Sequence, residues 1–132
     1  MSAKRFSARK SWVLALGAAA ALSLAAPAGA LDKVKVNGTI QFTAPSDFHG
    51  KVNSKSDACE SGARVNLWRY QNANDTTGDL LGTDKASRNG AWQIMVPNAQ
   101  AGEFQIQIAG RKVREHDFLS KCVAFVGLRM RF

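Results

Sequence analysis

From residue 31 onward, apolar residues return at every second position in stretch after stretch, and that alternation leaves little room for anything but β-structure. Val34, Val36, Ile40, Phe42 and Ala44 hold the even positions of one stretch, with Lys33, Lys35, Thr39, Gln41 and Thr43 between them. Val65 and Leu67 alternate with Arg64, Asn66, Trp68 and Tyr70. Trp92, Ile94 and Val96 alternate with Gln93 and Met95, and Phe104, Ile106 and Ile108 with Glu103, Gln105 and Gln107. Successive side chains of a strand point to opposite faces, so each stretch offers one face to a core and one to water. No amphipathic helical repeat competes with this pattern.

Turn residues divide the strands. Asn37-Gly38 resembles a tight hairpin, but a two-residue turn there would pair Val36 with Thr39 and Val34 with Gln41, splitting the apolar set between core and solvent. One long strand over residues 34–44 with a glycine bulge keeps the set together. Ala44-Pro45-Ser46-Asp47 ends it, and Phe48 to Val52 is expected as a short edge segment. The polar run Gln71 to Asp79 reads as a surface loop, Leu80 to Thr83 as a short strand, and Asp84 to Gly90 as a turn around Asn89-Gly90. Pro97 stops the strand begun at Trp92. Arg111 to Asp117 reads as a charged loop. A final strand follows, in which Cys122, Ala124, Val126, Leu128, Met130 and Phe132 share one parity. Six or seven strands so separated imply an all-β, antiparallel sandwich of about seven strands.

Residues 1–30 have a different composition. Lys4, Arg5, Arg9 and Lys10 precede an apolar, alanine-rich segment from Val13 to Ala26, and Ala28-Gly29-Ala30 has the small residues of a cleavage site. This is the layout of a secretory signal peptide, with an apolar segment shorter than the ~20 residues that span a bilayer. Cleavage after Ala30 by the Sec route would deliver residues 31–132 as a single domain to the periplasm or the extracellular space, with no membrane span. The formal charge would fall from +8 to +4, because four basic and no acidic residues are lost. That excess favours anionic surfaces but is too small to indicate a nucleic-acid binder. Cys59 and Cys122 are the only cysteines. An even pair in an exported chain reads as a disulfide, worth about 4 kcal/mol by chain entropy for a loop of this length.

Several local signatures fall in a recognisable order: Phe48-His49-Gly50-Lys51-Val52, Cys59, Arg64-Val65-Asn66-Leu67-Trp68-Arg69, Leu81-Gly82-Thr83, Asn89-Gly90-Ala91-Trp92, Gly102-Glu103-Phe104 and Cys122. From about Gly38 to Leu128 the chain resembles the transthyretin-like, carboxypeptidase-regulatory-like domains of secreted bacterial proteins. The resemblance implies a prealbumin-type, immunoglobulin-like sandwich and a module that is usually not catalytic. One branch of that superfamily hydrolyses 5-hydroxyisourate and ends in Tyr-Arg-Gly-Ser. This chain ends Leu128-Arg129-Met130-Arg131-Phe132, so the resemblance does not extend to that activity.

The residues themselves carry no catalytic motif: no nucleophile elbow, zinc-binding helix, paired CxxC or phosphate-binding glycine loop. His49 and His116 stand in different contexts without a nucleophile beside them, so no catalytic residue, metal ligand or cofactor is expected. The oxygen-rich loop Asn72 to Asp79 fails the spacing of a calcium loop, since Ala73 would fall at the first ligand position. Two surfaces remain. Trp68 and Tyr70, beside Arg64 and Arg69, are expected on the outer face of their strand. Arg111, Lys112, Arg114 and Lys121, followed by Arg129 and Arg131, form a basic set suited to anionic envelope polymers. The final strand, ending in Phe132, also resembles the last strand of an outer-membrane β-barrel. The expectation is thus an exported, non-enzymatic binding or structural module, its partner an unknown protein or an anionic polymer.

Overall fold

A computed structural model describes residues 31–132, which form one compact unit from Asp32 to Phe132; the expected signal peptide lies outside the described residues. The elements in order are β1 (Asp32–Val34), β2 (Val36–Gly38), β3 (Gln41–Thr43), β4 (Asp47–Ser54), α1 (Asp57–Glu60), β5 (Arg64–Tyr70), β6 (Asp79–Lys85), β7 (Ala91–Met95), β8 (Glu103–Ile108), β9 (Arg111–Glu115), β10 (Phe118–Cys122), β11 (Phe125–Val126) and β12 (Met130–Arg131).

Two antiparallel sheets make the sandwich. In the first, β4 is central, with β2 and β3 on one edge and β7 on the other. In the second the order is β6-β5-β8, and β11 and β12 both pair with the free edge of β8. The alternating residues meet between them. Val36, Phe48, Val52, Trp92 and Ile94 come from the first sheet, and Val65, Leu67, Phe104, Ile106 and Ile108 from the second; all are buried in one cluster. Phe48 stacks on Phe104 across the sheets at 4.7 Å between ring centroids, and Phe42 and Phe132 complete an aromatic group at that end. Fully burying side chains of this size contributes about 1.5–3 kcal/mol each.

The disulfide forms between Cys59 on α1 and Cys122 on β10, with Cα atoms 5.6 Å apart. Helix α1 is a single turn that the polar run before Cys59 did not suggest. Ser56 caps it by accepting from the Cys59 N–H, and the Glu60 carboxylate accepts from the Ser54 N–H. The chain is therefore an all-β sandwich closed by one disulfide.

The expected strand over residues 34–44 keeps its parity but not its continuity. Even positions from Val34 to Phe42 turn inward while odd ones are exposed, and no hairpin forms at Asn37-Gly38. There is no bulge either: Gly38 pairs with Val52 and Gln41 with His49, so the register is kept across the gap. The ladder opens at Thr39 and Ile40, where the Thr39 carbonyl presses on Gly50. A Cβ at residue 50 would lie 1.9 Å from that oxygen, which accepts instead from Trp92 Nε1. The segment from Phe48 to Val52 is not an edge but the centre of its sheet, since β3 and β7 flank it.

Two further expectations change at the C-terminal end. Residues 111–115 form a strand rather than a loop: β9 and β10 make a hairpin about His116-Asp117, and His116 has φ 53°. Its inward positions are Arg111, Val113 and Glu115, all half-buried, so a period of two is present but two of its three residues are charged. β10 also pairs with β1, in parallel, making a third sheet β9-β10-β1 that no local pattern announced. The final strand is divided. After Cys122 the chain leaves the third sheet and joins the second, and the faces exchange as far as Met130: Phe125 turns inward while Val126, Leu128 and Met130 are exposed, and only at Phe132 does the expected parity meet the core again. A shift of one residue reverses every side chain of a strand. The continuous apolar face that resembled a barrel strand does not exist.

Candidate functional site

The third sheet gathers most of the basic residues singled out in the sequence. Alternation in β9 sends Lys112 and Arg114 outward, while Val113 packs against the core. In the hairpin register Lys112 lies opposite Lys121, and Arg114 opposite Leu119. The parallel pairing of β1 with β10 sets Lys33 beside Lys121. Lys112, Lys121 and Lys33 therefore stand side by side across three strands spaced about 4.8 Å apart, all three exposed. Like charges directly opposite are destabilising, and two unit charges about 5 Å apart repel by about 0.8 kcal/mol even in water. No carboxylate relieves them: the ion pairs among the described residues are His49–Asp47 and Arg131–Glu103.

Arg111 belongs to the opposite face and does other work. Its guanidinium donates to the carbonyls of Ala58, at 2.6 Å, and Ser61, so that it closes the C-terminal end of α1. It holds the third sheet against the sandwich beside the disulfide and is not part of the outward basic face. Lys33, in contrast, was missed by sequence reasoning. Its exposure follows from the alternation of residues 33–43, but its place in the row depends on a pairing between strands almost ninety positions apart.

The aromatic surface expected on β5 is not open. Tyr70 is buried, only 8% exposed. Gly78 from the following loop lies on the ring, so near that a Cβ there would be 2.7 Å from it, and the Arg129 guanidinium stacks over it at 3.6 Å from the centroid. The Tyr70 hydroxyl donates to Gln105 Oε1, and Gln105 in turn donates to the Gly127 carbonyl. Trp68 is half-buried with its Nε1 unpartnered, and Arg69 donates to the Ala101 carbonyl. The parity of the strand was right; the loop and the C-terminal segment simply cover that face. Arg129 and Arg131 are thereby removed from the basic set, the second by its pairing with Glu103 at 3.3 Å.

The remaining candidates stay apart. His49 lies on β4 with Nδ1 3.6 Å from an Asp47 oxygen, and His116 sits exposed in the β9–β10 turn. The Asp75 carboxylate in the oxygen-rich loop accepts from the N–H groups of Gln71 and Thr77, and these hold its carboxyl below the usual carboxylate range, with Arg129 and Arg69 assisting. Its oxygens are thus committed within the loop. Among the described residues no three His, Cys, Asp or Glu side chains converge as a metal site, and no helix is long and apolar enough to cross a membrane. No protein-family model, curated protein or solved structure matches this chain.

Proposed function

We propose that this chain is an exported, non-enzymatic sandwich module of the transthyretin-like, carboxypeptidase-regulatory-like kind, and that it binds anionic surfaces of the cell envelope or extracellular space through the outer face of β9-β10-β1. One observation carries the reading: Lys112, Lys121 and Lys33 form an unbroken row across three strands, and none of them is in an ion pair among the described residues. Isolated surface lysines need no explanation, but two successive like-charge pairs cost stability and concentrate positive potential where a polyanion would gain most. Arg114 extends the same face toward the hairpin turn. The leader-like composition of residues 1–30 and the disulfide support an oxidising compartment.

Retention on heparin tests this. We expect retention that falls as ionic strength rises, and a large loss of retention in Lys33→Glu/Lys112→Glu/Lys121→Glu with the fold intact by circular dichroism. The same charge change placed away from that sheet, in Lys51→Glu/Lys85→Glu/Arg88→Glu, all exposed, should matter much less. Retention indifferent to salt, or equally weakened by both sets, would remove the basic face as the binding surface.

A further inference from the structure

A row of lysines accounts for attraction to any polyanion but not for what stands at its end. Phe118 and Leu119, immediately after the β9–β10 turn, are 69% and 44% exposed. A single exposed apolar residue is ordinary. Here two are consecutive at a hairpin tip, and Arg114 lies directly opposite Leu119. Leu119 shares the outward face with the cations, while Phe118 has inward parity but extends past anything that would cover it, so the tip is apolar on both sides. Two residues of strand separate Leu119 from the lysine row, a distance of about 7 Å. Interfacial elements sink their apolar side about 5–10 Å into the headgroup and acyl boundary while their cations stay among the phosphates. The carboxylates nearby are Asp32, exposed beside Lys33 on β1, Asp117 in the turn and Glu115, half-buried on the inward face, against four outward cations.

We infer that the partner of this face is an anionic phospholipid surface. Phe118 and Leu119 enter the acyl boundary, and Lys33, Lys112, Arg114 and Lys121 engage the lipid phosphates. This rests on the basic face being a binding surface, and it goes further in choosing lipid over soluble polymer and in setting the hairpin tip in the bilayer. Each basic residue held at an anionic leaflet raises affinity about fivefold, so four together give an enhancement on the order of several hundredfold over a neutral bilayer at low salt. Two apolar side chains at the boundary supply the part of binding that salt does not screen.

The test is cosedimentation of the purified protein with vesicles of mixed phosphatidylglycerol and phosphatidylcholine, and with phosphatidylcholine alone, all variants being compared in the same chain. Binding to the anionic vesicles should exceed binding to the neutral ones by far more than tenfold. Phe118→Ser/Leu119→Ser should weaken vesicle binding at least about tenfold while leaving heparin retention and the melting temperature unchanged. Phe118→Trp should bind as the parent does and add blue-shifted emission on anionic vesicles. Vesicle binding unaltered in Phe118→Ser/Leu119→Ser, or emission unshifted in vesicle-bound Phe118→Trp, would overturn the insertion. Heparin retention without vesicle binding would identify a soluble polyanion as the partner and end this inference while leaving the basic face in place. Loss of both would end both.

Discussion

The outer face of β5 and the outer face of β9-β10-β1 carry the same kinds of residue, aromatic or cationic and outward by parity, yet they end in opposite states. On β5 the molecule consumes them itself: Tyr70 lies between Gly78 and Arg129, and its hydroxyl bonds to Gln105. On the third sheet Lys33, Lys112 and Lys121 have only each other. An outward aromatic or cation is informative about binding only after its internal partners have been counted. Arg111 and Lys112 make the same point at adjacent positions, the first committed to α1 and the second to solvent.

Substitutions can break that comparison at its support, at its centre and at its margin. The largest effect belongs to the support. Cys59→Ala/Cys122→Ala cuts the link between α1 and the third sheet and should cost about 4 kcal/mol, read as a lower urea midpoint. Next, Tyr70→Ala should cost about 3 kcal/mol by emptying a covered site, whereas Lys121→Ala should change stability by no more than about 0.5 kcal/mol, and in the stabilising direction, since it removes repulsion. Equal losses in thermal or urea unfolding would erase the distinction between the two faces. A finer cut uses neighbours. Arg111→Ala should cost about 2 kcal/mol through its two charge-assisted hydrogen bonds with little effect on heparin retention, and Lys112→Ala should do the reverse, although both remove one positive charge.

The smallest effect lies at the margin of the β5 face. Because backbone N–H groups hold the folded Asp75 carboxyl below its unfolded value, its contribution is complete above the unfolded value. It is lost only as pH falls through the lower, folded one. Amide exchange at Gln71 and Thr77 should therefore be indifferent to Asp75 protonation at neutral pH and loosen below about pH 4, and Asp75→Asn should flatten that response.

Residues 59–108 show how much was legible. Val65, Leu67, Trp92, Ile94, Phe104, Ile106 and Ile108 are all buried where alternation put them, and two cysteines allow only one bridge. What escaped is non-local. Period two says which side chains share a face, not which strand edge meets which, so the central place of β4 and the parallel β1–β10 pair were invisible. A crossing from one sheet to another is also silent in composition, and that is why the inward parity of the last segment reversed after Cys122. The basic face was half legible for the same reason: Lys112, Arg114 and Lys121 lie in one hairpin, while Lys33 arrives from a distant strand.

The position of β1 gives leader removal a second meaning. β1 begins at Asp32, and cleavage after Ala30, as the leader's composition leads one to expect, would leave Leu31 as the first residue, two positions before Lys33. Before the cut that nitrogen is an uncharged amide; after it, an α-amino group with an ordinary pKa of about 7.7–8.0, mostly protonated at neutral pH. Processing would then place a positive charge at the end of the strand that supplies the third lysine, so the edge of the third sheet would gain charge locally even as the formal charge of the whole chain falls from +8 to +4.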